Sequence, residues 1–115
     1  MAKLDKFIYN ATLVRIVDGD TCDAMIDLGF DTWIKKRIRL YGINAPEIRT
    51  KNLEEKKAGI AAKDRLSEIM EQCDYKFILI SHGTGKYGRC LGTLLIEDVN
   101  INKLLLSEGF AKEYV

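Results

Sequence analysis

The spacing of apolar positions changes along this chain, first short, then long, then short again. Phe7 to Val17 is rich in aromatic and β-branched residues, which favours a strand. Asp18-Gly19-Asp20 interrupts it as a tight turn. Cys22, Ala24, Ile26 and Leu28 then alternate with Thr21, Asp23, Met25 and Asp27, the period of two of a half-buried strand. Gly29-Phe30-Asp31 makes the next turn, and Thr32 to Leu40 predicts a third strand. Ile34, Ile38 and Leu40 fall on one of its faces; Lys35, Arg37 and Arg39 share the other.

The period then lengthens. Asn52, with Glu55 three residues on, makes a capping-box-like helix start. Ala58, Ala62, Leu66, Ile69, Met70 and Cys73 recur every three or four residues, one buried stripe of a long helix. Gly59 within it costs about 1 kcal/mol relative to alanine, so it marks either a close packing contact or a later helix start. Tyr75 to Ser81 predicts a strand, a glycine-rich loop follows, and Cys90 to Ile96 predicts another strand. Ile101 to Glu108 predicts a short helix, with Gly109 at its C′ position. This order does not alternate strands with helices as a doubly wound parallel sheet does. The expected fold is α+β, mainly β: a five-stranded barrel with a long helix after strand 3 and a short C-terminal helix. Residues 1–115 form one domain by length.

Composition narrows the class. At 47% hydrophobic and 30% charged, the chain can bury one core, and disorder is excluded as its main state. No apolar run approaches the ~20 residues of a membrane helix, and Asp5, Lys6 and Asn10 break the opening segment as a signal peptide. The net charge is +1, from 18 Lys and Arg against 17 Asp and Glu, so an anion site must come from local clustering. Cys22, Cys73 and Cys90 are odd in number and form no C-x-x-C pair, which argues against a disulfide framework or a zinc site. A cytoplasmic, reducing setting is expected.

Three segments carry candidate chemistry. Asp18, Asp20 and Asp23 are either turn formers or oxygen ligands for a hard cation. An EF-hand is excluded, because Cys22 stands at its third ligand position. Arg39-Leu40-Tyr41-Gly42-Ile43-Asn44-Ala45-Pro46-Glu47 ends a strand with a guanidinium and brings a carboxylate onto the following turn. Arginine grips phosphate through paired hydrogen bonds, and glutamate can take a proton from water. The loop from His82 to Arg89 contains a formal G-x-G-x-x-G, but no helix follows it, so a dinucleotide site is rejected. The loop instead displays Lys86, Tyr87 and Arg89. His82, the only histidine, excludes a multi-histidine metal site and is expected as a solvated turn residue.

Together, Val17-Asp18-Gly19-Asp20-Thr21, Arg39 through Pro46-Glu47, and Lys86-Tyr87-Gly88-Arg89, in this order and separation, resemble the staphylococcal nuclease (thermonuclease) family. So do Asn102, the leucines after it, Gly109 and Ala111-Lys112. The resemblance implies an OB-fold barrel that hydrolyses phosphodiester bonds of DNA and RNA, using Ca²⁺ and leaving 3′-phosphate ends. It implies that Asp20 binds the metal, joined by Asn44 and the backbone carbonyl of Ala45. It implies Glu47 as general base, Arg39 and Arg89 on the scissile phosphate, and Lys86 and Tyr87 on the bound nucleotide. Two guanidiniums and a divalent cation suit a transition state that gathers negative charge on phosphoryl oxygens.

The chain departs from the family pattern at Asn44, where nucleases of this kind commonly carry a second metal-binding aspartate. Weaker calcium binding is expected, since affinity depends on ligand charge, with Asp18 or Asp23 as compensating charges nearby. The sequence stops at Val115, short of a further C-terminal helix that longer members carry. Expected partners are single-stranded or frayed DNA and RNA, bound by a monomer with no obligate protein partner and no membrane. The alternative is a non-catalytic barrel that binds single strands or a protein partner, using Lys35, Arg37, Arg39, Tyr41 and Tyr87.

Overall fold

Strand pairing begins at a two-residue turn. In the computed structural model, which describes residues 7–114 with the Lys86 side chain outside the description, β1 (Ile8–Asp18) and β2 (Thr21–Asp27) meet with Asp18 opposite Thr21. β3 (Trp33–Leu40) returns antiparallel along β2 and leads to the two-residue β4 (Ile43–Asn44). Helix α1 (Leu53–Gln72) follows, then β5 (Lys76–Thr84), β6 (Cys90–Ile96) and β7 (Val99–Asn100). Helix α2 (Ile101–Ser107) and β8 (Lys112–Glu113) complete the order, β8 pairing with β4.

The sheet runs β3-β2-β1-β5-β6 through antiparallel pairs and closes on itself where β6 lies parallel to β3, Ile38 opposite Cys90 and Leu40 opposite Gly92. This is the closed five-stranded barrel of an OB-fold, and closure removes the unpaired edges an open sheet would expose. The core joins Cys22, Ala24 and Ile26 of β2, Ile38 and Leu40 of β3, and Phe77 and Leu79 of β5 to Leu66, Ile69 and Met70 of α1. Asn102 is buried at the closure. Its amide donates to the carbonyls of Tyr41 at 2.9 Å and Gly92 at 3.0 Å, and its oxygen accepts from the Leu94 N–H at 3.2 Å.

Three local expectations shift. Ile34 is exposed rather than in the core; it lies on β3 beyond the Ile38–Leu40 end where β6 pairs and closes the barrel. The buried stripe of α1 starts at Gly59, with Ala58 exposed. β5 runs on to Thr84, so His82 lies in a strand and not in a turn. The N-cap is as expected: the Asn52 side chain accepts from the backbone of Glu54 and Glu55 at 3.0 and 3.1 Å.

Candidate active site

Two glycines bring the site together. A Cβ on Gly19, in the β1–β2 turn, would stand 2.5 Å from the Cβ of Ala62 on α1 and 3.1 Å from that of Ala45. A Cβ on Gly59 would stand 2.7 Å from the Pro46 carbonyl oxygen and 2.9 Å from that of Glu47. Gly59 is therefore a close packing contact. The helix approaches both the acidic turn and the segment carrying Glu47 at distances only glycine permits.

Asp20 is buried in this junction. Its carboxylate accepts from the Thr21 hydroxyl at 2.9 Å and from the Ala45 N–H at 2.8 Å. Arg39 Nη2 stands 3.5 Å from the same carboxylate and donates to the Asn44 side-chain oxygen at 3.1 Å. Arg39 Nη1 donates to the carbonyls of Leu40 at 3.0 Å and Ile43 at 2.8 Å. The guanidinium also lies over the Tyr114 ring, 5.6 Å from its centroid. Asp20, Arg39, Asn44 and Ala45 thus come together, with Ala45 meeting Asp20 through its N–H.

Calcium takes six to eight oxygen ligands. This cluster offers the Asp20 carboxylate and the Asn44 amide oxygen, and Arg39 already stands on both. Among the described residues, no three His, Cys, Asp or Glu side chains are placed to hold a metal ion.

Glu47 is exposed and lies in a different depression, of about 620 Å³, with Asp18, Thr21, Tyr87 and Arg89. Thr21 connects this depression to Asp20 through its hydroxyl. Tyr87 sits in a short 3-10 turn at φ 62°, a left-handed conformation unusual for a large side chain, and its ring is almost fully exposed. The Arg89 guanidinium lies 5.7 Å from the centroid of that ring. Lys86 belongs to the same turn.

Arg89 also lines a second cavity, of about 970 Å³, shared with Arg39, Asn44, His82 and Tyr114. There His82 stacks on Tyr41, ring centroids 4.2 Å apart, and its Nε2 lies 2.8 Å from Thr93 Oγ1. Sequence reasoning missed this stack, because the two residues are 41 positions apart and only barrel closure joins them. It also missed Arg15, Arg49 and Lys63, which line the depression around Glu47. Cys22 is no nucleophile: burial first, then the neighbouring Asp23, pushes its thiol up to about 12.

A family model described as staphylococcal nuclease homologue matches residues 37–115. Protein ParB of Escherichia coli is 30% identical over 112 residues, which cover 89% of this chain and 55% of ParB. The chain therefore spans about half the length of this curated relative.

Proposed function

Starting from the fact that the chain belongs to the staphylococcal nuclease homologue family, we propose that it is an endonuclease hydrolysing single-stranded or frayed DNA and RNA with little sequence preference. The observation that carries this reading is the depression lined by both exposed Glu47 and half-buried Arg89, beside the buried Asp20–Arg39 cluster. Glu47 takes a proton from water, the water oxygen attacks phosphorus, and the bond to the 5′ oxygen breaks. The products are a 3′-phosphate and a 5′-hydroxyl, the latter taking a proton from solvent. Arg89 stabilises charge on the phosphoryl oxygens. Arg39, held by two carbonyls and Asn44, fixes the turn that carries Glu47 and supplies positive charge at the mouth of the larger cavity. Tyr87, with Lys86 in the same turn, contacts the nucleotide.

A second reading is favoured by Asn44 and by the engagement of Asp20 with protein groups: a barrel that binds single strands without cutting them. One assay separates the two. A labelled single-stranded oligonucleotide is incubated with wild type and with Glu47→Gln, in EDTA, Ca²⁺, Mg²⁺ or Mn²⁺. Cleavage that Glu47→Gln lowers by about 10²–10⁴-fold, the usual worth of a general base, supports hydrolysis. Binding without cleavage under every condition supports the second reading.

Three free cysteines support a reducing compartment. Among the described residues, no helix is long and apolar enough to cross a membrane.

A further inference from the structure

We infer that the polar depression around Glu47 continues into a phosphate-binding track for a single polynucleotide strand, built from Arg15, Arg37, Arg49 and Lys63. The proposal deepens the hydrolytic reading, because it states where the strand runs beyond the bond that is cut.

The argument starts from strand register. Asp23 of β2 lies opposite Arg15 of β1 on one side and Arg37 of β3 on the other. An irregularity in β1 between Leu13 and Arg15 sets the first pairing. Asp23 accepts from Arg37 Nε at 2.8 Å and Nη2 at 3.2 Å, and Arg15 Nε stands 3.6 Å away. One buried carboxylate thus braces two guanidiniums that remain largely exposed, and the trio keeps a net positive charge. Such bracing fixes the arginines before a ligand arrives, which lowers the ordering cost of binding.

Arg15 and Arg37 line the same depression as Glu47 and Arg89. Arg49, two residues beyond Glu47, and Lys63 of α1 line it as well. Five cationic side chains thus face two carboxylates there, in a chain whose whole net charge is +1. This is the local clustering that a phosphate backbone requires. Arg37 and Lys35 stand two residues apart on β3, about 6.5–7 Å by strand geometry, a spacing suited to successive phosphates. The exposed Tyr87 ring at the rim offers a face for an unpaired base, which a duplex would not present.

The test is binding of oligothymidylates of two, four, eight and twelve nucleotides in EDTA, followed by fluorescence anisotropy across a salt series. Affinity of wild type should rise with length, and single strand should bind more tightly than duplex. In Arg15→Gln/Arg37→Gln the twelve-mer should bind about tenfold or more weakly. Losing two phosphate contacts should make its log–log salt slope shallower by about 1.4. A second variant, Arg49→Gln/Lys63→Gln, leaves the Asp23 trio untouched and should also flatten the slope. Unchanged slope and length dependence in folded variants would overturn the track, as would equal competition by polyglutamate or preference for duplex. The readout needs no cleavage: a catalytically silent protein with the expected slopes would refute only the hydrolytic reading, and a cleaving protein with unchanged slopes only the track.

Discussion

Two aspartates of the same hairpin each take an arginine of β3, with opposite consequences. Asp20 pairs with Arg39, and Asp23 with Arg37. Arg39 turns inward, its side chain 13% exposed and engaged by carbonyls and Asn44. Arg37 is 47% exposed and shares its aspartate with Arg15. The first pair has little capacity left for a ligand and holds the turn to the segment that carries Glu47. The second keeps outward N–H groups. The same two residue types therefore serve as scaffold in one place and as recognition surface in the other, according to how many protein acceptors surround the guanidinium.

The largest effect should come from deleting the inner aspartate. Asp20→Ala leaves the Ala45 N–H without its acceptor and removes the buried carboxylate beside Arg39, and should cost about 3 kcal/mol in urea unfolding. Asp23→Ala, whose arginines remain in water, should cost about 1 kcal/mol or less. The reverse order would break the comparison.

Gly59→Ala tests the positioning of Glu47. The helix gains about 1 kcal/mol of propensity, but the new Cβ meets the backbone oxygens of Pro46 and Glu47 at 2.7 and 2.9 Å, so the variant should be net destabilised by about 1 kcal/mol or more. Hydrolysis should fall by about 100-fold, since a displacement of about 1 Å costs that much. Full activity in the variant would mean that the helix contact does not set the base.

Asn44→Asp adds charge beside Asp20 and should raise Ca²⁺ affinity on the order of tenfold by calorimetry. No gain would show that Arg39 already occupies the field of both side chains.

The smallest effect is on acid stability. The hydrogen bond from Arg37, reinforced by nearby positive charge, holds the Asp23 carboxyl below its ordinary value of 3.8. Such a depressed group contributes its full stability above the unfolded value, and that contribution is lost as pH falls through the folded value. The melting temperature of wild type should therefore exceed that of Asp23→Asn at pH 6, and the two should converge below the ordinary aspartate range. A gap that persists at pH 2 would assign the difference to packing rather than charge.

Most of the fold was legible because the signals are local. Period-two alternation marked β2, the three-to-four repeat marked α1, and Asn52 and Gly109 punctuated the helices. Where β6 meets β3 is not local, and that closure exposes Ile34, buries Asn102 and stacks His82 on Tyr41. The motif residues were legible as types, but not their division between a buried cluster and an open depression.

The sequence by itself determined the order of the five barrel strands and two helices, the family and the identities of Asp20, Arg39, Glu47 and Arg89 as chemical candidates, while the two-residue strands β4, β7 and β8 came only with the fold. Propensity, periodicity and motif spacing act over a few residues at a time, and those distances are written in the chain. Only the tertiary structure decided which guanidinium is saturated, which carboxylate meets water, and that Arg15, Arg37, Arg49 and Lys63 surround Glu47. Those properties depend on acceptors and solvent supplied by segments far away in sequence, which share a surface only after the barrel has closed and α1 has packed against Gly19.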